Sequence, residues 1–337
     1  MATTQLEDVL RSNIKRLNEL IWKCIDDEFI ERWLDNFQQD GNQQPSERLH
    51  ALYFLSQVMY FGYDEIRELL RALYRDLYKY PIVEQIRREN SDTTDLELIN
   101  SLFKKEVEKT RFLGLGNPSE SGYFLLYLFR QENDLPKNLF VNTHEIFKRE
   151  VKPVEHKRDR LSEKVTVTVE DSLRYPEVTR YVFVDDLCGS GSQAKRYSKG
   201  PIGQMKAINP DIETYYFTLF ATEGGLEEVE SKSGFDHVKS VYLLDKSYKC
   251  FSDESRYFHE HVRREGIEKE FAEHICRHYG SRLEPDNPLG FGDSQLLMAF
   301  AYNTPNNTLP VFWHDGKGEF QWQPIFRRHS KIYRMQK

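Results

Sequence analysis

Apolar residues recur at three- and four-residue spacing through the first hundred positions. Leu6, Val9, Leu10, Ile14, Leu17, Leu20, Ile21, Cys24 and Ile25 stripe one face of a helix. Gly41 to Glu47 breaks the pattern, and Ser46 is placed to cap a second helix from Leu49 to about Met59. A third helix starts at Asp64, with Ile66, Leu69, Leu70, Leu73 and Leu77 on its inner face. A polar linker covers 90–95, and Thr93 or Thr94 is placed to cap a helix running through Lys105. Residues 1–108 therefore read as a helical N-terminal region.

At Arg111 the texture changes. Arg111 to Gly116 reads as a short buried strand, Asn117 to Gly122 as a loop, and Tyr123 to Arg130 as an apolar helix. A strand is expected at Asn138 to Val141, a charged loop or excursion over 147–163, and an edge strand or ribbon at Val165 to Val169, where Val and Thr alternate. Val178 to Val184, Thr214 to Ala221 and Val238 to Leu244 read as strands, with a Gly224-Gly225 turn and a helical segment between the last two. Residues 253–280 read as largely helical, Ser294 to Tyr302 as a helix, and Leu309 to Trp313 as a strand. The alternation of strand and helix predicts an α/β fold with a parallel sheet over residues 109–337.

Composition narrows the class. The chain has 337 residues, 39% hydrophobic and 30% charged, as in a folded globular protein rather than a disordered one. A net charge of -7 does not favour a nucleic-acid binder, which needs a basic surface. No apolar run approaches the roughly 20 residues of a membrane helix, and the N-terminus lacks a secretory pattern. Cys24, Cys188, Cys250 and Cys276 are scattered, which suits a reducing cytoplasm.

The chemistry is concentrated in Val182-Phe183-Val184-Asp185-Asp186-Leu187-Cys188-Gly189-Ser190-Gly191-Ser192-Gln193. An apolar strand runs into two carboxylates, then a small-residue loop, then a helix. In open α/β sheets ligands sit beyond the carboxyl ends of the strands. Backbone N–H groups of Gly189, Ser190, Gly191, Ser192 and Gln193 can surround a phosphate, and the serine hydroxyls add donors. Asp185 and Asp186 lie one loop away, within reach of ribose hydroxyls, and a nearby Mg²⁺ would favour their ionised forms. A capped turn is the plain alternative. A Walker loop is excluded because no Gly-Lys-Ser/Thr follows, and a dinucleotide loop fits poorly because the acidic pair precedes the glycines. At the sheet's rim, the loop is expected to accept substitution of Gly191 with modest loss of stability.

This segment resembles the phosphoribosyl-diphosphate motif of type I phosphoribosyltransferases. Asp185 and Asp186 fall on the family's acidic pair and Ser190-Gly191 on its usual Thr-Gly; Gln193 stands where a Thr is common. The resemblance implies a phosphoribosyltransferase-type fold and transfer of a 5-phosphoribosyl group from its diphosphate. Asp185 and Asp186 would be the catalytic pair holding the ribose and, through the ligand, Mg²⁺. It also implies pyrophosphate contact for the loop after the first strand, where Gly116, Asn117 and Ser119 are the candidates. That loop lacks the basic residue many members carry, although Arg111 lies close in sequence. The alternative there is a helix start capped by Ser119 or Ser121.

A longer resemblance covers residues 110 to about 315, in TRFLGLGNPSESGYFLLYLFRQEN, YVFVDDLCGSGSQA, LLDKSYKCFSDESRYF and PLGFGDSQLLMAFAYNTPNNTLPVFWH. These strings are similar to a phosphoribosyltransferase-like family of bacterial conflict systems, including some retrons. That likeness implies an antiviral-defence effector that binds phosphoribosyl diphosphate or a nucleotide. Two alternatives stay open: a non-catalytic nucleotide-sensing or partner-binding member, and an assembly subunit whose N-terminal region holds a protein or nucleic-acid partner. Asp293, Asn303, Asn306 and Asn307 either read a base or form a turn cluster. His259, His261, His274, Cys276 and His278 lack the usual zinc patterns and read as surface or interface residues. Asp245 to Lys249 either lines the cleft or ends a strand in solvent. Lys195, Arg196 and Lys199 read as a solvated helix face close to the phosphate loop.

Overall fold

In a computed structural model the described residues are 2–37, 46–117, 119–159, 162–259, 265–318 and 320–329. The Gly41–Pro45 break and His261 lie outside them. In chain order the elements are α1 (Ala2–Leu17), α2 (Asp27–Leu34), α3 (Glu47–Ser56), β1 (Met59–Phe61), α4 (Tyr63–Ala72), α5 (Tyr80–Glu89) and α6 (Leu96–Glu108). There follow β2 (Thr110–Gly114), α7 (Ser121–Glu132), β3 (Phe147–Asp159), β4 (Ser162–Leu173), β5 (Arg180–Cys188), α8 (Ser192–Ser198) and α9 (Pro201–Ile208). The last are β6 (Glu213–Thr222), α10 (Glu223–Lys232), β7 (His237–Leu244), α11 (Lys269–Leu283) and β8 (Met298–Phe300), then two-residue strands at Gly316–Lys317 and Phe320–Gln321. No helix of the described residues is long and apolar enough to cross a membrane.

The chain separates into two compact units, Met1–Ile66 with Leu244–Lys337, and Arg67–Leu243. The 108/109 division drawn from the sequence lies inside the second. In the first unit, α1 to α3, β1, α11 and β8 surround a largely aromatic core. Trp33 is fully buried, stacks on Phe312 at 5.5 Å between ring centroids, and donates from Nε1 to the Val311 carbonyl at 2.9 Å. His50 is buried too: Nδ1 lies 2.7 Å from the Ser46 carbonyl, while Nε2 accepts the Glu268 N–H at 2.9 Å. One donor and one acceptor fix the neutral Nδ1–H tautomer.

Three expectations fail in this unit. Of residues 253–280, read as largely helical, 253–259 and 265–268 are turns and irregular backbone, and the helix begins only at Lys269. Residues 294–302 hold β8, paired in parallel with β1 (Met59 opposite Met298), rather than a helix. Residues 309–313 form the 3₁₀ turn Pro310–Phe312 rather than a strand. Short fully buried apolar runs carry no periodicity that distinguishes the alternatives.

The second unit is α/β. Its four-stranded sheet has the order β2-β5-β6-β7, with β5 parallel to both β2 and β6. On one side Phe112 of β2 meets Tyr78, Phe129 and Phe140 at 5.1, 5.2 and 5.5 Å. On the other, Phe183 and Tyr216 meet Phe235, each at 5.3 Å. The helices from Leu73 to Glu108 thus supply aromatic cover for the sheet. Asp95, rather than Thr93 or Thr94, caps α6 by accepting the Glu97 and Leu98 N–H groups.

The expected strand at 138–141 is a 3₁₀ turn, Lys137–Leu139, followed by a single parallel bridge from Phe140 to Phe112. Pro136 starts the turn, and a capping box between Asn142 and Glu145 ends the extended stretch at once. The expected charged loop at 147–163 is instead most of a long antiparallel ribbon, β3 with β4, with a register shift between Pro153 and Glu155. Hydropathy reports side-chain burial, whereas backbone hydrogen bonds make a ladder, so a charged ribbon escapes it.

Tyr78 joins the helical cover to the sheet, since its hydroxyl donates to Thr110 Oγ1 at 2.8 Å while its ring packs on Phe112. Tyr78→Phe should cost about 0.5–1.5 kcal/mol for the bond. Tyr78→Ala should cost about 3–5 kcal/mol for ring and cavity. Urea denaturation of both variants measures the two contributions.

Candidate functional site

β5 does not end at the acidic pair. Its pairing with β6 continues through Asp185 opposite Thr218 and Leu187 opposite Phe220 to Cys188 opposite Ala221. Adjacent residues in a strand point to opposite faces, so the two carboxylates differ in environment. Asp185 is 5% exposed. Its Oδ2 accepts the Tyr216 hydroxyl at 3.0 Å, and its Oδ1 accepts the Asp186 N–H at 3.0 Å. Asp186 is half-buried, and its Oδ1 accepts the Leu187 N–H at 2.8 Å. Complete burial, with the Asp185 charge adding, raises the Tyr216 phenol well above its usual range. Tyr216 therefore stays a donor that holds Asp185. Asp186 is the more exposed member of the pair.

The loop after β5 is seated on the first turn of α10. The Gly189 carbonyl accepts the Thr222 hydroxyl at 2.5 Å, and Thr222 caps α10 by accepting the Gly225 N–H at 3.0 Å. A Cβ on Gly225 would lie 2.3 Å from the Gly189 oxygen and 2.7 Å from the Cys188 oxygen. Gly191 has φ of +68°, and a Cβ there would lie 2.8 Å from Val229 Cγ2 and 2.9 Å from the Gly225 oxygen. The loop is thus packed rather than loose at the rim, and substitution of Gly191 is costly where a modest effect was expected. Gly224 and Gly225 belong to α10 itself, not to a turn before it. Ser190 Oγ lies 3.0 Å from Ser192 Oγ. α8 begins at Ser192, so the N–H groups of its first turn lack helical acceptors.

The loop after β2 abuts this one. Gly116 has φ of +99°; a Cβ there would lie 2.6 Å from Glu120 Oε2 and 2.9 Å from Gln193 Nε2. Gln193 donates from Nε2 to Glu120 Oε2 at 2.9 Å, so it ties the two loops together. Asn117 Oδ1 accepts from the Ser119 N–H and hydroxyl at 3.2 and 3.1 Å. The residue at the N-cap of α7 is Glu120, with no side-chain capping bond, rather than Ser119 or Ser121. Arg111 serves neither loop. At the start of β2 its guanidinium donates to the Glu108 and Thr110 carbonyls, each at 2.9 Å, and pairs with Glu177 at 3.3 Å.

The sequence reading missed Glu120, Tyr216, Thr222 and Gly225. Thr222 followed at once by the acidic Glu223 carries a helix-start signal that marks α10. Nothing local points to Glu120 or Tyr216. Of the basic run, Lys195 is engaged with Glu228 of α10.

The remaining candidates have structural partners. In the first unit Asp293 pairs with Lys249 at 2.7 Å, and Asn307 donates to Ser294 Oγ and the Phe291 carbonyl at 2.9 and 3.2 Å. Asn303 Oδ1 accepts the His329 N–H at 2.9 Å, and the Asn306 carbonyl accepts that of Phe291 at 2.7 Å. Asp245 accepts the Ser247 N–H at 2.8 Å. His274 and His278 stack on one face of α11, and Cys276 is buried. Among the described residues no three His, Cys, Asp or Glu side chains gather closely enough to hold a metal.

The fold and the acidic pair with its glycine loop define a phosphoribosyltransferase-like protein. Residues 30–328 match the PRTase-CE family, and the chain belongs to it. No curated protein matches the chain. Among solved structures it is similar to the xanthine-guanine-hypoxanthine phosphoribosyltransferase of Helicobacter pylori, at 11% identity and TM-score 0.22, over 43% of this chain and 88% of that one. It is also similar to the orotate phosphoribosyltransferase of Aeropyrum pernix, at 13% identity and TM-score 0.27, over 54% and 72% of the two chains. A third is the adenine phosphoribosyltransferase of Trypanosoma brucei in complex with AMP, pyrophosphate and ribose-5-phosphate, at 15% identity and TM-score 0.22, over 54% and 78%.

Two outcomes test this geometry. Gly225→Ala should destabilise the chain by about 1–3 kcal/mol in urea, since the new methyl overlaps backbone oxygens that cannot swing away. Burial, with the Asp185 charge adding, pushes the Cys188 thiol up to about 12, while Cys24 is exposed. At pH 8 a thiol reagent should label Cys24 in the native chain and leave Cys188 unlabelled until denaturant is added.

Proposed function

We propose that the second unit binds a ligand carrying ribose 5-phosphate, either phosphoribosyl diphosphate or a related nucleotide. The phosphate rests on 189–193, and the ribose hydroxyls donate to Asp186. One observation supports this reading: Gly191 takes a positive φ at the N-cap of α8, so α8 starts only six residues after Asp186 of β5. An anion and a diol are then served at adjacent positions.

Mg²⁺ fits as a companion of the ligand. It keeps several waters and binds through one or two carboxylates together with substrate phosphates, and Asp186 offers such a carboxylate. Its contribution would be to neutralise a diphosphate. In a phosphoribosyl transfer positive charge grows on the ribose and negative charge on the departing diphosphate. The chain's part is then to orient the ribose on Asp186, with Asp185 fixed behind it by Tyr216, and to hold the 5-phosphate away from solvent.

A second reading, a nucleotide-sensing subunit without transfer chemistry, is favoured by the loop after β2. No Lys or Arg occurs from Gly114 to Gly122, and the Glu120 carboxylate lies beside Gly116. Family likeness extends both readings to a cytoplasmic effector of bacterial antiviral defence, with residues 1–108 as the region that meets a protein or nucleic-acid partner.

Calorimetry with ribose 5-phosphate, and with phosphoribosyl diphosphate plus Mg²⁺, tests the site. Asp186→Asn should lose about 1.5–3 kcal/mol of affinity, roughly 10- to 100-fold, with little change in stability. Asp185→Asn should act mainly on stability, because Tyr216 and the Asp186 N–H depend on it. Equal affinity in the folded Asp186→Asn variant defeats the reading. Release of pyrophosphate on addition of candidate acceptors separates transferase from sensor.

A further inference from the structure

A cavity of about 570 Å³ lies in the second unit between α7 and the segment 137–145, and the ribose-phosphate loops do not line it. Its lining is polarised. Tyr127 and Phe140 are the aromatic rings that line it with Tyr123, Phe140 having one face already stacked on Phe112. Tyr127 is 57% exposed, and its hydroxyl accepts from Gln131 at 3.1 Å, which restrains the ring.

Arg130 and Lys137 stand at one end. Among the described residues neither forms an ion pair, although Arg130 lies 6.0 Å from the Tyr127 ring centroid. Two cations without carboxylate partners beside aromatic rings are an unmatched positive charge. Most other basic side chains around this sheet are engaged, as Lys195, Lys206, Arg111 and Arg180 are.

The other end has different chemistry. The Asn142 side-chain Oδ1 accepts the His144 and Glu145 N–H groups, and Glu145 Oε2 accepts the Asn142 N–H at 2.8 Å. This capping box is a rigid mount. It leaves the Asn142 amide nitrogen and Glu145 Oε1 without a partner among the described residues. An amide donor and a carboxylate acceptor side by side match the edge of a base that carries an exocyclic amine.

We propose that this groove is a second site, which takes a nucleoside monophosphate with an amino-bearing base. The base stacks on Tyr127 and Phe140 and is read by Glu145 and Asn142; the phosphate lies on Arg130 and Lys137. From Tyr123 to Arg130, α7 rises about 10 Å, which is the reach of a mononucleotide from base edge to phosphate. The site does not rest on the ribose-phosphate reading, and it shares no residue with it.

The test titrates the full chain with AMP, UMP and adenosine by calorimetry. AMP should bind at least tenfold more tightly than either of the others. Arg130→Glu with Lys137→Glu should weaken AMP at least tenfold and leave adenosine unchanged. Glu145→Gln, which keeps the capping oxygen, should narrow the gap between AMP and UMP. Tyr127→Ala, at an exposed ring, should weaken AMP and adenosine alike and serves if the charge reversal unfolds the chain. Asp186→Asn should leave this binding in place. The proposal is overturned if AMP binds no more tightly than about 1 mM, if Tyr127→Ala and the charge reversal both leave its affinity unchanged, or if Asp186→Asn alone abolishes it.

Discussion

The backbone of 188–191 lies against the first turn of α10 with no room for a side chain between them. Gly225 would place a Cβ 2.3 Å from the Gly189 oxygen, and Gly191 one 2.8 Å from Val229. Because the two backbones touch, β5 must end where α10 begins, and β6, which leads into α10, must run beside β5 in parallel. The Thr222 hydroxyl bridges the junction, accepting from Gly225 and donating to Gly189. From this approach follow the direction of α8, the exposure of its first N–H groups, and the position of Asp186 relative to them. A methyl group at either glycine separates the helix from the strand and disperses the donors.

Charge is the second constraint. Asp185, Asp186 and Glu120 all occupy the two loops or the strand that leads to them, whereas Lys195 is engaged with Glu228. An anion held here depends on backbone N–H groups and on whatever cation it brings. In a site of intermediate dielectric, charges about 4 Å apart interact with several kcal/mol. A bare diphosphate across Glu120 would therefore be opposed more strongly than a single phosphate on 189–193. The bond from Gln193 to Glu120 offsets part of that repulsion by sharing the carboxylate with a neutral donor. The same residue that departs from the family pattern thus keeps the two loops together.

Much of this was legible from the chain. An apolar run from Tyr181 to Val184 before two acids and a glycine loop announces a buried strand and a turn. The stripe from Ile66 to Leu73 announces a helix packed on a core, whereas of the stripe from Leu6 to Ile25 only Leu10, Ile14 and Ile25 are buried and Val9, Leu20, Ile21 and Cys24 are exposed. What was not legible depends on long-range partners. Tyr216 reaches Asp185 only because β6 pairs with β5 in one register, and local sequence carries no register across 31 residues. The acidic pair was read as the end of the strand, yet β5 continues through it and Asp185 is buried with a tyrosine hydroxyl to satisfy it. Arg111 was expected near the loop because five residues separate it from Gly116 in sequence. In an extended strand that distance is about 16 Å, and the side chain serves the opposite end of the sheet.

The density of glycine contacts also bears on how the site binds. Gly114 approaches Gly122, Gly116 approaches Glu120 and Gln193, and Gly191 approaches Val229. Each is a place where backbone meets its neighbour directly, so the loops are fixed by packing before any ligand arrives. A preformed loop spares the conformational cost of ordering at binding, which is about 1–2 kcal/mol for each backbone residue that would otherwise be fixed. Few direct contacts would then suffice for affinity, which is how a loop without a single Lys or Arg would serve the proposed anion. The cost falls on stability instead, since Gly116 and Gly191 occupy conformations with φ of +99° and +68°. Those conformations admit glycine and strain other residues, so the sequence here is constrained by geometry at the very positions where side-chain chemistry is absent.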